Sequence, residues 1–156
     1  MYYRKLRNLL FILSAIVIIA LPLSCAKENP VDKLIPYVRV DLQINPLSPQ
    51  FVLGPNGNGD LSIPGNWAYV NGGYRGIIIY NAGFGEYRAH ERTAPNQYPN
   101  ASNCRVSVDD TDFFAVDPCS GSKYSLLDGS NYEEPTLLSL KQYRTSFDGT
   151  YLYVFN

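Results

Sequence analysis

The chain has little of what most often carries chemistry. Its 156 residues include one histidine, His90, and three cysteines. One histidine excludes any site within a single copy that needs two imidazoles. Positive charge is thin: 13 lysines and arginines stand against 14 acidic residues, for a formal net charge of −1. Nucleic acid needs a concentrated basic face, and none is visible. No glycine-rich loop follows a strand and opens a helix, so nucleotide phosphates find no cradle. Beyond residue 36 helical periodicity is almost absent, which argues against a helical domain.

Long apolar runs are limited to one. "LLFILSAIVIIALPL" follows Arg4, Lys5 and Arg7 and leads to Cys25. A basic start, an apolar run of about 15 residues and a cysteine make a secretory signal, too short for the roughly 20 residues of a membrane span. "LPLSC" resembles a bacterial lipobox, in which the cysteine takes lipid and becomes the first mature residue. The expected organisation is a lipoprotein signal peptide over 1–24, a tether over 25–36 and a β domain over 37–156. The mature chain keeps 10 basic and all 14 acidic residues, a net charge of about −4. Its expected place is the bacterial cell envelope, held to a membrane through the lipid on Cys25. The outer membrane leads, with its side left open.

What is present is β-type. "YVRVDLQIN" (37–45), "WAYV" (67–70), "YRGIIIYNA" (74–82) and "FGEYRAHERT" (84–93) read as strands, as do "CRVSV" (104–108), "FFAV" (113–116) and "KYSLL" (123–127). "TLLSLKQY" (136–143), "RTSF" (144–147) and "YLYVFN" (151–156) complete the set. Gly, Pro, Asn and Asp break the runs, with "NGNGD" (56–60) and Asp148-Gly149 as turns. Regular strand spacing with local turns predicts an all-β antiparallel sandwich or small barrel. With Cys25 given to lipid, Cys104 and Cys119 remain as an even pair in an oxidising compartment. They are read as a disulfide worth ~3 kcal/mol, with two free thiols as the alternative.

Two loops suggest more. "AHERTAPNQ" (89–97), "DPCSGSKY" (117–124), "EEPTLLSLKQY" (133–143) and "DGTYLYVFN" (148–156) resemble, in this order, the cluster loops and closing strands of Rieske domains. The resemblance covers roughly residues 60–156 and implies Rieske-like architecture. Rieske first loops have the form Cys-x-His and second loops Cys-Pro-x-His-Gly-Ser. Carried over, the ligand positions fall on Ala94 and Asn96, and on Asp117 and Ser120. Pro118, Gly121 and Ser122 match the family pattern, and Cys119 matches its non-ligand cysteine. The usual bridge partner would fall at Pro99, five residues before Cys104. A Rieske centre needs two thiolates on one iron and two imidazoles on the other. The resemblance implies a [2Fe–2S] cluster; the residues do not support one, and no cofactor is expected.

Other constellations read as structural. Asp109, Asp110 and Asp112 suggest a calcium loop, but no glycine-centred loop or following glutamate completes it, and a solvated turn is expected. His90 and Glu91 would make an acid–base pair, yet strand alternation sends them to opposite faces. Trp67, Tyr69, Tyr74, Tyr80 and Tyr87 are core candidates that also suit glycan stacking. Asn100-Ala101-Ser102 has the form of a glycosylation acceptor, discounted for a bacterial chain. The expected protein is therefore not an enzyme but a binding or structural module, with an unknown protein or glycan partner and no nucleic acid. Electron transfer through an unusually ligated [2Fe–2S] cluster and a glycan- or peptide-binding surface are the alternatives.

Overall fold

Short alternating runs cannot bury a face alone, so they pair side by side and close on one another. A computed structural model describes residues 3, 29–52, 57, 59–96, 104–133 and 138–156. Cys25, the apolar run, Pro99 and the Asn100–Ser102 triplet lie outside the described residues. Two helical turns, α1 (Val31–Leu34) and α2 (Pro49–Val52), flank β1 (Asp41–Ile44). The strands β2 (Trp67–Val70), β3 (Ile77–Gly83) and β4 (Glu86–Glu91) follow as a meander. Four short strands come next: β5 (Ser107–Val108), β6 (Phe114–Val116), β7 (Lys123–Ser125) and β8 (Asn131–Glu133). The chain then returns through β9 (Gln142–Phe147) and β10 (Leu152–Phe155).

Every strand pairing among the described residues is antiparallel. The larger sheet runs β1-β10-β9-β4-β3-β2, and the smaller runs β5-β6-β7-β8. The small sheet is thus an insertion between the paired strands β4 and β9. This is the antiparallel all-β architecture expected from the sequence.

The run Ile77–Tyr80 shows why the two sheets hold together. Ile77 and Ile79 join one core, inside the large sheet, with Leu61, Ala68, Tyr87, Ala89, Leu152 and Val154. Ile78 and Tyr80 join another, under the small sheet, with Ala94, Val106, Tyr124, Leu126 and Leu140. A strand buried on both faces loses the polar alternation of a half-exposed one.

Three local differences from the expected strands have physical causes. The strand expected at 136–143 joins the large sheet only at its end, fused with the one expected at 144–147 as Gln142–Phe147, because the Leu140 amide is bonded outside that sheet; residues 136 and 137 lie outside the described residues. Leu140 N donates to Gly129 O, and Lys141 O accepts from Glu91 N. The strand expected at 104–108 is reduced to Ser107–Val108, with Arg105 in a single bridge to Thr93. Val31 and Ile35, within the segment read as a tether, are buried, and Asn29 Nδ2 donates to Leu140 O. Packed structure therefore begins by Asn29.

At the point where the small sheet departs from β4, the side chain of Glu91 is fully buried. Its Oε2 accepts from Tyr74 N (2.7 Å) and the Tyr143 hydroxyl (2.7 Å). Its Oε1 accepts from Arg75 N (2.9 Å), Thr93 N (3.0 Å) and Thr93 Oγ1 (2.8 Å). A buried carboxylate is tolerated only when so satisfied. The approach also dictates Gly73, which sits at φ +62°; a Cβ there would overlap Glu91 Oε2 and the Tyr143 hydroxyl.

Candidate functional site

The second loop is a tight turn built on Asp117. Gly121 N donates to Asp117 O at 2.8 Å, and Asp117 N donates to Ser122 O at 2.9 Å. The Asp117 carboxylate is fully buried. It accepts from Cys119 N at 2.9 Å and from Ser120 Oγ at 2.5 Å, and Ser120 Oγ meets Ser122 Oγ at 2.9 Å. An aspartate two residues before the amide it caps is a common way to close a turn.

The first loop runs from β4 through Thr93, Ala94 and Asn96. Ala94 is fully buried in the core beneath the small sheet, and Asn96 is exposed. Farther on, Val106 N donates to Arg92 O (2.8 Å) and Arg75 Nη1 donates to Cys104 O (3.1 Å), which fixes Cys104. A disulfide joins Cys104 to Cys119 with Cα atoms 6.0 Å apart. The pair expected from the cysteine count is therefore a bridge, made from Cys104 rather than from position 99, where the resemblance would put the partner. Cys104 is buried, whereas Cys119 is exposed.

The four carried-over ligand positions do not converge on a metal-ready cavity. Ala94 has no donor atom. Asp117 and Ser120 are turned on one another. Both thiols of the loops are spent in the disulfide. The lone imidazole lies in the core: His90 Nε2 meets Leu126 O at 2.8 Å. A carbonyl only accepts, so the ring proton is on Nε2, and Nδ1 keeps a lone pair with no partner among the described residues. The backbone of Gly129 covers the ring, where a Cβ would come within 3.0 Å of Nδ1. The donor set does not fit two thiolates and two imidazoles.

The pair His90 and Glu91 does point to opposite faces, one toward Leu126 and the other toward Tyr143. Neither is poised for proton transfer. Burial, above all, holds His90 down to about 4, against its bond to Leu126 and nearby Asp128. Burial, then donation to Glu91, push the Tyr143 phenol well above its ordinary range. The 109–112 turn is occupied by protein groups: Asp109 accepts from Thr111 N and Oγ1 and pairs with Lys123 at 3.1 Å. Asp112 accepts from Trp67 Nε1 at 2.7 Å. Of the aromatic candidates, Tyr80 and Tyr87 are core, Trp67 and Tyr69 are half-buried and Tyr74 is exposed.

The sequence reading missed a groove at the opposite end of the large sheet. It holds about 260 Å³ and is lined by Pro46, Leu47, Pro64, Phe84, Tyr87 and Phe147 among others. Phe84 sits at the β3–β4 turn with φ +54° and is fully exposed. A bulky side chain in that region is strained. "GFGE" marks a glycine-flanked turn, a signal that shows the turn but not the groove.

No family model matches the chain, and no curated protein matches it. Among solved structures it is similar to the plasma membrane Rieske protein PetC3 from Synechocystis PCC 6803. That likeness has 21% identity over 58% of this chain and 86% of that one, with a TM-score of 0.47. It is also similar to a chain in the complex of reduced oxygenase and oxidized ferredoxin in carbazole 1,9a-dioxygenase. There the identity is 18% over 76% of this chain and 94% of that one, with a TM-score of 0.48. At such values the likeness concerns the chain trace and says nothing of ligand or activity.

The buried histidine sets a pH dependence. Its folded pKa of about 4 lies below the ordinary value of 6.5, so as pH falls the unfolded chain takes up the proton first. Stability is unaffected by His90 above pH 6.5 and falls between 6.5 and 4, by roughly 3 kcal/mol in full. Urea unfolding at pH 7 and at pH 4.5, for the parent and for His90→Leu, measures this. The parent loses more stability than the variant over that interval; equal losses would show that the imidazole does not resist protonation.

Proposed function

We propose that this chain is a bacterial envelope lipoprotein, anchored through Cys25, whose Rieske-like domain works as a non-catalytic binding or structural module without a cluster. One observation carries the reading: the donors that a Rieske centre would need are committed to holding the protein together. The loop cysteines bridge one another, Asp117 closes its own turn and His90 is sealed under Leu126 and Gly129. The acid–base pair considered from the sequence is likewise committed, since Glu91 binds five donors and His90 faces the other way. The anchor rests on the N-terminal pattern. From Cys25 to Asn29 is four residues, at most ~14 Å of chain, so a lipid on Cys25 places the domain against the bilayer.

A second reading, a glycan- or peptide-binding surface, is favoured by the groove at Phe84. Asn29 lies beside Leu140, before the start of β9, whereas the groove takes Phe147 from its end. A six-residue strand spans about 17–20 Å, which sets the groove at the end away from the anchor.

The central reading is tested by iron analysis and visible absorbance on the mature domain, purified anaerobically and reconstituted with iron and sulfide. A colourless protein with substoichiometric iron is expected; a brown protein with two irons per chain would restore electron transfer. The second reading is tested by Phe84→Gly. If Phe84 is kept for contact with a ligand rather than for the fold, relief of its strained conformation raises unfolding stability by about 1 kcal/mol. A loss of stability would mark Phe84 as a packing residue.

A further inference from the structure

The bridge between the loops lies beside a third group. One carboxylate oxygen of Asp117 and the sulfurs of Cys104 and Cys119 all lie within 4.8 Å of one another. We propose that these three residues form a redox-gated zinc(II) site, closed in the disulfide and opened when a dithiol or phosphine reduces it. The proposal goes beyond the cluster-free reading.

The donor set selects the ion. Two thiolates and one carboxylate suit zinc, which takes sulfur at about 2.3 Å and oxygen at about 2.0–2.2 Å in tetrahedral geometry. Two thiolates on one such ion lie about 3.8 Å apart, so the sulfurs need only separate from the bond and remain within their present neighbourhood. Cys119 is the exposed partner and can rotate outward, while Cys104 stays buried. A fourth position, on the solvent side, is left for water.

The ligands are held in place by contacts other than the disulfide. Asp117 and Cys119 share one turn, through Cys119 N on Asp117 and Gly121 N on Asp117 O. Cys119 N on Asp117 Oδ1 and Ser120 Oγ on Oδ2 fix the orientation of the carboxylate, the usual support of a ligating group. Cys104 is fixed by Arg75 and by the bond from Val106 N to Arg92 O. Reduction therefore frees two thiols without releasing either loop.

The chemistry balances. A dithiol gives two electrons and two protons, the S–S bond becomes two thiols, and the dithiol closes to its own disulfide. With a phosphine, phosphorus is oxidised to the phosphine oxide, the oxygen coming from water and the two protons going to the sulfurs. Zinc then displaces both thiol protons as the Zn–S bonds form and is itself neither oxidised nor reduced.

The test uses the mature chain, reduced with a phosphine that does not hold the metal strongly, and titrated with cobalt(II) and then zinc(II). One cobalt per chain is expected, with thiolate-to-metal charge-transfer absorption and the visible bands of a four-coordinate ion, discharged by zinc. The oxidised chain shows neither. Asp117→Asn lowers zinc affinity at least tenfold in competition with a chromophoric chelator. Cys119→Ser, on the exposed side of the loop, abolishes the charge-transfer band and serves as the second variant if the Asp117 change unfolds the chain. Any of three results overturns the proposal: metal bound without a thiolate band, equal affinity in both variants and parent, or unfolding on reduction that zinc does not reverse.

Discussion

The carboxylate of Glu91 is the constraint on which the rest of the structure depends. It lies where β4 leaves the large sheet, and the entire small sheet hangs from that point. Five donors converge on it, from the 73–75 loop, from Thr93 at the root of the first loop and from Tyr143 on β9. Removing one partner would leave a buried polar group unsatisfied, at a cost of about 1–3 kcal/mol. The carboxylate thus ties three segments distant in sequence, and it explains why Gly73 has no side chain.

From that anchor the two loops extend to the Cys104–Cys119 bridge. A disulfide closing a 15-residue separation restrains the unfolded chain by ~3 kcal/mol. It joins the Asp117 turn to Cys104, whose carbonyl Arg75 holds. The Asp117 turn adds rigidity through the bonds that its carboxylate accepts from Cys119 N and Ser120 Oγ. The loops are therefore held by covalent and hydrogen-bonded contacts of their own.

Much of the fold could be read from local signals. Trp67–Val70 is a strand with the expected bounds, because its flanking Asn and Gly residues are unambiguous turn formers. The opposed faces of His90 and Glu91 followed from strand alternation alone. What alternation does not tell is depth: His90 is fully enclosed, because Leu126 and Gly129 fold over its ring. The convergence on Glu91 was also hidden, since three of its five donors are backbone amides, which every sequence possesses. The shifted start of β9 depends on the Leu140 amide, which bonds Gly129 O outside the sheet, a tertiary contact that no local pattern encodes. The loop bridge was legible because cysteines are few; the groove at Phe84 was not, because its walls come from four separate segments.

The most direct test of this account is native-state hydrogen exchange at the amides of Tyr74, Arg75 and Thr93. Tyr74 is an exposed loop residue, and exposed loops ordinarily exchange through small local openings. The account predicts that all three amides exchange in the slowest class, only with global unfolding, because the buried carboxylate holds them. Fast exchange of the Tyr74 and Arg75 amides, while the β3 and β4 amides stay protected, would contradict it and show that Glu91 does not organise the junction.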